Sequence, residues 1–295
     1  MISNPKVEMM PLEMKKALIW QRFAKTLCWA YEKSSFYHEK YVKANITPND
    51  IRKLDDIKKI PLTSLEELKA VDPLELLTGP ISTTMRLNTT ISGLYRGYTS
   101  DDIARNIDIS LRALASNDIN KSSTVLICGK YSSQYLLDLH YAAEALGATV
   151  IPCNDPDSAI DITHIFNANT LIISSDNLLK FINIDITSLP PKIIILLTAP
   201  RNKAVIDEIE TKLGHTVPKI YMSSYFGLAG IAFTCEENHL HIQDDYLYPE
   251  IIDGKLVLTP LTFDAMPIIR LQTNIPVTLD HSICSCGRTF PAIKI

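Results

Sequence analysis

The sequence lacks several features that would assign it to a specialised class of protein. None of its 295 residues belongs to an apolar run approaching the ~20 residues of a membrane-spanning helix. The N-terminal stretch MISNPKVEMMPLEMKK has no apolar core of the signal-peptide kind. The formal net charge is only -4 with both signs mixed, so no basic stripe is present for nucleic acid or a membrane surface. We therefore expect a cytoplasmic globular protein with neither nucleic-acid nor membrane partners.

A disulfide framework is also lacking, because the six cysteines stand at irregular positions. Cys28, Cys128 and Cys153 have apolar sequence neighbours, which is typical of small residues that fill a core. We expect these three to be buried thiols without a chemical role.

The remaining cysteines lie near histidines or near each other. Cys235 is followed by His239 and His241, and the Cys284-Ser285-Cys286 run lies close to the C-terminus. Thiolate and imidazole are the ligands that zinc prefers, and four protein ligands denote a structural site. The two segments can therefore supply the two halves of a tetrahedral zinc site. The alternative is a set of thiols and a rim histidine that hold no metal.

Hydrophobic periodicity divides the chain into three parts. Helical spacing dominates from residue 14 to 44, with a second helix starting at residues 34–37, and Ser64 with Glu67 forms a helix-start signature. Short β-branched runs at 124–128, 148–152, 170–174 and 192–197 alternate with helical stretches at 101–115, 135–146, 160–166 and 203–213. That alternation indicates βαβ units and a parallel sheet. The last part has strand-like runs at 239–242, 250–252, 255–259 and 266–271. We predict a helical N-terminal segment over 1–80, an α/β subdomain over 81–216 and a β-rich subdomain over 217–295 that carries the zinc site.

Several segments resemble one enzyme family. They are residues 221–235, His241, the YPEIID run at 248–253, the PIIR run at 267–270 and the CSCGR run at 284–288, together with the N-terminal helical text and HYAAEALGATVIP from His140. These segments resemble the phenylacetate-CoA ligase branch of the adenylate-forming enzymes. The resemblance covers nearly the whole chain and implies an α/β fold of the adenylate-forming N-terminal domain. It also implies a zinc site of Cys235, His241, Cys284 and Cys286, with His241 rather than His239 as the ligand.

The resemblance fails at the positions that hold ATP in the family. In the phosphate loop, Thr89 and Thr90 keep the register, but Asn88, Ile91 and Ser92 replace two glycines and a lysine. Arg86 or Arg96 could replace the lost charge, although we expect both to be solvated surface arginines.

Three further nucleotide elements are altered. Ala199 stands at the glutamate of the adenine loop, and Tyr225 at the glutamate that holds magnesium-ATP. In the pattern that starts at Arg270, Ile275 replaces the aspartate that binds the ribose hydroxyls, and isoleucine cannot accept those hydrogen bonds. The family continues into a C-terminal domain of about one hundred residues, which we expect to be absent after Ile295. Use of ATP and magnesium in the family's manner is therefore not expected, and the sequence leaves open whether CoA is a ligand.

The leading functional hypothesis is a phenylacetate-CoA ligase-like protein with a degraded ATP site. It would bind a small carboxylic acid or acyl group in a pocket bounded by Tyr131, Tyr135, Ser224, Tyr225, Phe226 and Gly227. Such a protein acts as a binding or partner subunit, or on an already activated acyl group. One alternative is an ATP-dependent ligase whose C-terminal domain comes from a protein partner. Another is a zinc-stabilised structural interaction module.

Overall fold

The computed structural model describes residues 1–90, 92–131, 134–174, 177–178, 189–197, 207–208, 211–212, 219–222, 227 and 230–294. In this part of the chain no helix combines the length and apolarity needed to span a bilayer. Most of the helix predicted for 203–213 and the residues Ala199, Ser224, Tyr225 and Phe226 lie outside these ranges.

The N-terminal segment is helical, as the spacing predicts. Its helices are α1 (Pro5–Glu8), α2 (Leu12–Lys33), α3 (Ser35–Lys43) and α4 (Leu65–Ala70), with short 3-10 turns between α3 and α4. The second helix begins where the sequence predicts it, because Ser34 between α2 and α3 has an extended backbone at φ -101° and ψ 119°. The predicted start at Ser64 is confirmed, because Ser64 and Glu67 form a reciprocal capping box at α4.

A two-stranded hairpin follows, formed by β1 (Arg86–Thr89) and β2 (Tyr95–Tyr98) in antiparallel register. Beyond it the helices are α5 (Ser100–Ser116), α6 (Gln134–Ala145) and α7 (Ala159–Phe166). The remaining strands are β3 (Thr124–Cys128), β4 (Thr149–Cys153), β5 (Thr170–Ser174), β6 (Lys192–Leu197), β7 (Lys219–Met222), β8 (Ala232–Thr234), β9 (Leu240–Ile242), β10 (Leu247–Ile252), β11 (Lys255–Pro260), β12 (Leu271–Pro276), β13 (Thr278–Asp280) and β14 (Ala292–Lys294).

The main sheet has nine strands in the order β13-β14-β9-β8-β7-β6-β5-β3-β4. Its β4, β3, β5, β6 and β7 are parallel neighbours, which confirms the predicted βαβ sheet, whereas the strands beyond β7 are antiparallel. Strands β10, β11 and β12 form a separate three-stranded antiparallel sheet. The fold is thus α/β with a β-rich last third, as predicted.

Two expectations are wrong in detail. Residues 266–271 do not form a strand, because Arg270 adopts a left-handed backbone (φ 52°) and β12 begins only at Leu271. Cys28 is exposed on α2 rather than buried, because the buried stripe of that helix runs through Ile19, Phe23 and Leu27. Cys128 and Cys153 are buried, as predicted.

Candidate functional site

The structure brings four metal-ligand side chains together. The donor atoms of Cys235, His241, Cys284 and Cys286 all lie within 4.8 Å of one another. His241 reaches the cluster from β9, which pairs with β14 and β8, and Cys235 immediately follows β8. The two C-terminal cysteines come from the turn that precedes β14. The sheet therefore joins residues that are about fifty positions apart in sequence into one cluster, as the residue types predicted.

The imidazole of His241 is oriented by the backbone behind it. Its Nδ1 lies 2.8 Å from the carbonyl oxygen of Phe290, and its Nε2 faces the sulfur of Cys286 at 3.5 Å. Burial lowers the pKa of His241 to about 4, so the ring is neutral at pH 7. With Nδ1 as the donor to a carbonyl, the lone pair of Nε2 points into the cluster, which is the arrangement that metal-ligating histidines use.

The thiols of the cluster have different acidities. Burial raises the pKa of Cys235 to about 12. Burial also raises the pKa of Cys284, but hydrogen bonds from Cys286, His239 and Cys235 outweigh it, so the net pKa is lowered. His239 lies 3.1 Å from the Cys284 sulfur through Nδ1 and therefore contacts the cluster without belonging to the four-residue group. Three thiols and one neutral imidazole fit a tetrahedral zinc ion, which supplies the charge needed to deprotonate the thiols.

The positions that correspond to the family's phosphate loop form a tight hairpin, in which polar groups hydrogen-bond to each other. The hydroxyls of Thr90 and Ser92 are 2.7 Å apart, and the Thr90 hydroxyl accepts the Leu94 backbone amide at 3.1 Å. Asn88 and Thr89 are paired strand residues of β1, not members of an open glycine loop. The backbone amides of Thr90, Gly93 and Leu94 are thus engaged within the hairpin.

The two arginines next to this hairpin are not the solvated surface residues that the sequence suggested. Arg86 donates to the carboxylate of Asp138 at 2.7 Å, and the Asp138 side chain is wholly buried. Arg96 is only 2% exposed, and its Nη1 donates to the carbonyl oxygen of Met266 at 2.6 Å. Both were misjudged because a lone arginine in a polar stretch gives no sequence signal of burial.

The residues at the family's ribose-contact positions make ion-pair and packing contacts within the protein. Arg270 is buried and forms a bidentate ion pair with Glu250, at 3.0 Å through Nε and 2.8 Å through Nη2. Ile275 is 5% exposed and packs in the core cluster of the main sheet with Leu256 and Leu258. An apolar side chain at this depth offers no acceptor to a sugar hydroxyl.

Only part of the predicted acyl pocket lies in the described residues. Tyr131 is half-buried, with its hydroxyl 3.3 Å from Nδ1 of His140, and Tyr135 packs against the same core cluster as Tyr131. Gly227 has φ 78°, and its carbonyl accepts the Tyr98 hydroxyl at 2.7 Å. A Cβ at Gly227 would lie 2.7 Å from the Thr90 methyl group, so only glycine fits there.

Two buried acidic groups were missed by sequence reasoning. Asp244 is paired with Lys15 of α2 at 3.0 Å, and Asp245 is held by Arg112 at 3.0 Å and Arg22 at 3.1 Å. Adjacent carboxylates are usually solvated, but the partners of these two come from helices more than a hundred residues away. No local pattern in the sequence could have shown that pairing.

Comparison with known proteins agrees with this architecture. No family model matches the chain. The phenylacetate-coenzyme A ligase of Escherichia coli is 29% identical over 93% of this chain and 70% of its own length. That of Thermus thermophilus is 27% identical over 98% of this chain and 71% of its own length.

Solved structures give the same fold. An open conformation of 2-hydroxyisobutyryl-CoA ligase in complex with 2-HIB-AMP and CoA superimposes with a TM-score of 0.86 at 17% identity, over 98% of this chain and 75% of that one. The same ligase in its thioesterification state gives a TM-score of 0.84. The chain is thus similar in sequence to phenylacetate-coenzyme A ligases, and it shares the fold of 2-hydroxyisobutyryl-CoA ligase.

Proposed function

We propose that this protein binds a small carboxylic acid or an activated acyl group on a ligase-like scaffold whose ATP site is degraded. It then acts as a binding or partner subunit, or in a reaction on an acyl group that is already activated. The observation that carries the proposal is the burial of Ile275 in the core at the family's ribose-binding position. A nucleotide in the family's pose would leave its ribose hydroxyls unpaired there, at a cost of roughly 1–3 kcal/mol for each buried polar group.

The hairpin supports the same conclusion independently. A phosphate loop offers free backbone amides and a lysine to the triphosphate. Here Thr90 and Ser92 hydrogen-bond to each other, and no lysine is present in the turn. The nearest arginines, Arg86 and Arg96, are engaged with Asp138 and with the Met266 carbonyl. Triphosphate binding in the family's manner would require these contacts to be broken first.

The acyl ligand is assigned to the pocket predicted from the sequence. Tyr131, Tyr135, Ser224, Tyr225, Phe226 and Gly227 are its proposed lining. Gly227 packs closely against Thr90, Arg96 and Tyr98, which links this part of the proposed lining to the β1–β2 hairpin. The similar ligase structures hold an acyl adenylate and CoA, which supports an acyl group as the ligand class.

We also propose that Cys235, His241, Cys284 and Cys286 hold a structural zinc ion. Their donor set and mutual distances support it, as does the carbonyl that orients His241. Four protein ligands leave no open coordination position, so the ion stabilises the β-rich last third rather than acting on a substrate.

Isothermal titration tests the proposal directly. Zinc-loaded protein is titrated with magnesium-ATP, then with phenylacetate and with phenylacetyl-CoA. We expect no heat from ATP and saturable heat from an acid or a thioester. Micromolar ATP binding overturns the degraded-site proposal. Absence of binding by every acid and thioester, with the protein folded, favours a zinc-stabilised interaction module instead.

The second candidate is an ATP-dependent carboxylate-CoA ligase that uses a C-terminal domain from a partner chain. The phenylacetate-coenzyme A ligases among its relatives favour it. The same ATP titration decides between the two, and formation of AMP on addition of a free C-terminal domain would establish this candidate.

A further inference from the structure

A group of large apolar side chains is exposed around the β1–β2 hairpin. These side chains, which we call the hairpin patch, are each between 50% and 71% exposed, and they are Leu74, Ile81, Met85, Leu87 and Tyr95. All of them except Met85 line one groove of about 150 Å³, together with Leu77 and Met266. Single exposed apolar residues are common on protein surfaces, but a contiguous group of this kind marks an interaction site.

The hairpin presents the patch on one face only. Leu87 is the cross-strand partner of Gly97, and a Cβ at Gly97 would lie 3.1 Å from the Leu77 side chain and 3.3 Å from that of Leu87. Tyr95 is two positions from Gly97 on β2 and therefore shares its face. Arg96 lies between them in sequence, so its side chain is on the opposite face. Among the described residues of the hairpin strands, none with a charged side chain lies on the outer face.

The two charged residues of the hairpin strands are also engaged within the chain. Arg86 is ion-paired with Asp138 at 2.7 Å, and Arg96 is buried with its Nη1 on the Met266 carbonyl. An uncharged surface offers no complement to a charged partner, but it can face its own image without like-charge repulsion. A two-fold dimer needs such self-complementarity, because the same patch is used on both copies. The charge pattern therefore favours a second copy of this chain as the partner.

The size and shape of the patch also suit a dimer. Five large side chains that are at least half exposed contribute roughly 500 Å² per copy. Two copies would then bury roughly 1,000 Å², which reaches the lower limit for a specific interface. The groove is large enough for a group the size of benzene, so it can accept one side chain of a second copy. Met85, at 71% the most exposed of the five, lies beside the groove and is free to enter that of a partner.

We propose that this protein forms a two-fold symmetric dimer through the hairpin patch, with Met85 of each copy entering the groove of the other. The hairpin stands at the positions of the family's phosphate loop, and its polar contacts are made within the hairpin, which leaves the outer face to the partner. The dimer does not depend on binding of an acid or thioester, so it stands apart from the proposed function.

Sedimentation equilibrium of the full zinc-loaded chain, from ~1 to ~200 μM, tests the proposal. We expect the mass to rise from one chain to two, with a dissociation constant below ~100 μM. The mass of a single chain at every concentration overturns the proposal. A single-chain protein that binds a separately added ligase C-terminal domain through the patch would assign the patch to that domain and overturns it as well.

Two variants locate the interface. Leu87→Lys places a charge in the groove wall, and Met85→Lys places one on the side chain that enters it. Each should weaken dimerisation by at least about tenfold, because the charge loses its water against an apolar surface. Both positions are exposed, so we expect thermal denaturation of the dilute variants to match that of the wild type.

Ile165→Lys is the matched control, because Ile165 is 69% exposed on α7 and lies outside the patch. It should dimerise like the wild type. Undiminished dimerisation in Leu87→Lys and Met85→Lys overturns the proposal. Equal weakening by Ile165→Lys would mean that added charge, and not the patch, controls association, and it overturns the proposal too.

Discussion

Arg288 and Glu8 form a fully buried ion pair, with Nε 2.8 Å from Oε2, although 280 residues separate them in sequence. The Thr289 backbone amide also donates to the Glu8 carbonyl at 2.9 Å. Arg288 follows Cys286 by two positions, so the pair fastens α1 to the turn that carries half of the cysteine cluster. The N-terminal helix is thereby part of the support of the candidate metal site.

Removing Glu8 should be strongly destabilising. Glu8→Gln leaves a buried guanidinium with Glu236 as its remaining carboxylate partner, so we expect the free energy of unfolding to fall by about 3 kcal/mol. Urea denaturation measures it. Glu13→Gln, which removes the exposed pair with Lys16, is the control and should change stability by less than about 0.5 kcal/mol. A Glu8 variant as stable as that control would contradict the structural role of the pair.

Removing the metal should destabilise the last third of the chain. If zinc is bound by the Cys3His cluster, a chelator should lower the melting temperature, and added zinc should restore it. Cys286→Ser should abolish the chelator effect, whereas Cys28→Ser, at an exposed thiol outside the cluster, should retain it.

Metal analysis of the purified protein completes that test. We expect one zinc per chain in the wild type and in Cys28→Ser, and none in Cys286→Ser. A wild-type protein with well under one zinc per chain, whose melting temperature does not respond to chelator, would leave the cluster as three thiols and a histidine.

The buried carboxylate of Asp244 should make stability depend on pH. Burial raises its pKa from the usual 3.8 to about 6, against the opposing effect of Lys15. Since the folded pKa lies above the unfolded one, the native state binds the proton more tightly, and stability falls as pH rises from ~4 to ~6. The contribution is at most about 3 kcal/mol.

Other carboxylates titrate in the same range, so the readout is a difference between two proteins. The stability of the wild type minus that of Asp244→Asn should decrease between pH ~4 and ~6 and level off above it. Asp55→Asn, at an exposed carboxylate, should give a flat difference. A difference for Asp244→Asn that rises with pH would mean that the Lys15 pair outweighs burial.

Sequence patterns predicted the parts of the fold that depend on local order. The runs at β3, β5 and β6 were recognisable because strands of a covered parallel sheet are buried on both faces and read as continuous apolar text. The cysteine cluster was predictable because few residue types bind zinc. Burial of Arg96 and Asp244 was not, because it is decided by segments that lie far away in sequence and carry no periodic signal.

The loop at 266–270 is a second case in which distant contacts decide the structure and the local sequence does not. Its β-branched text predicts a strand, yet its backbone is held by distant groups: the Tyr37 hydroxyl accepts the Ile269 amide, and Asp102 accepts the Ala265 amide. Tertiary hydrogen bonds from α3 and α5 therefore override the local β preference. These contacts place Met266 against Arg96. The wrong strand prediction and the missed burial of Arg96 therefore have the same cause, which is the tertiary hydrogen bonding of this loop.

Restoring the family's ribose carboxylate should not restore ATP binding. Ile275→Asp places an ionisable group in the main-sheet core beside Leu256 and Leu258, without a partner, and we expect a loss of about 3–5 kcal/mol of stability. Ile275→Val, which only shortens the side chain, should cost about 0.5–1.5 kcal/mol. Urea denaturation gives both values, and titration with magnesium-ATP should give no heat for either variant. A stable Ile275→Asp protein that binds ATP at micromolar concentration would mean that one substitution separates this chain from a working nucleotide site, and that the hairpin contacts of Thr90 and Ser92 yield readily to a triphosphate.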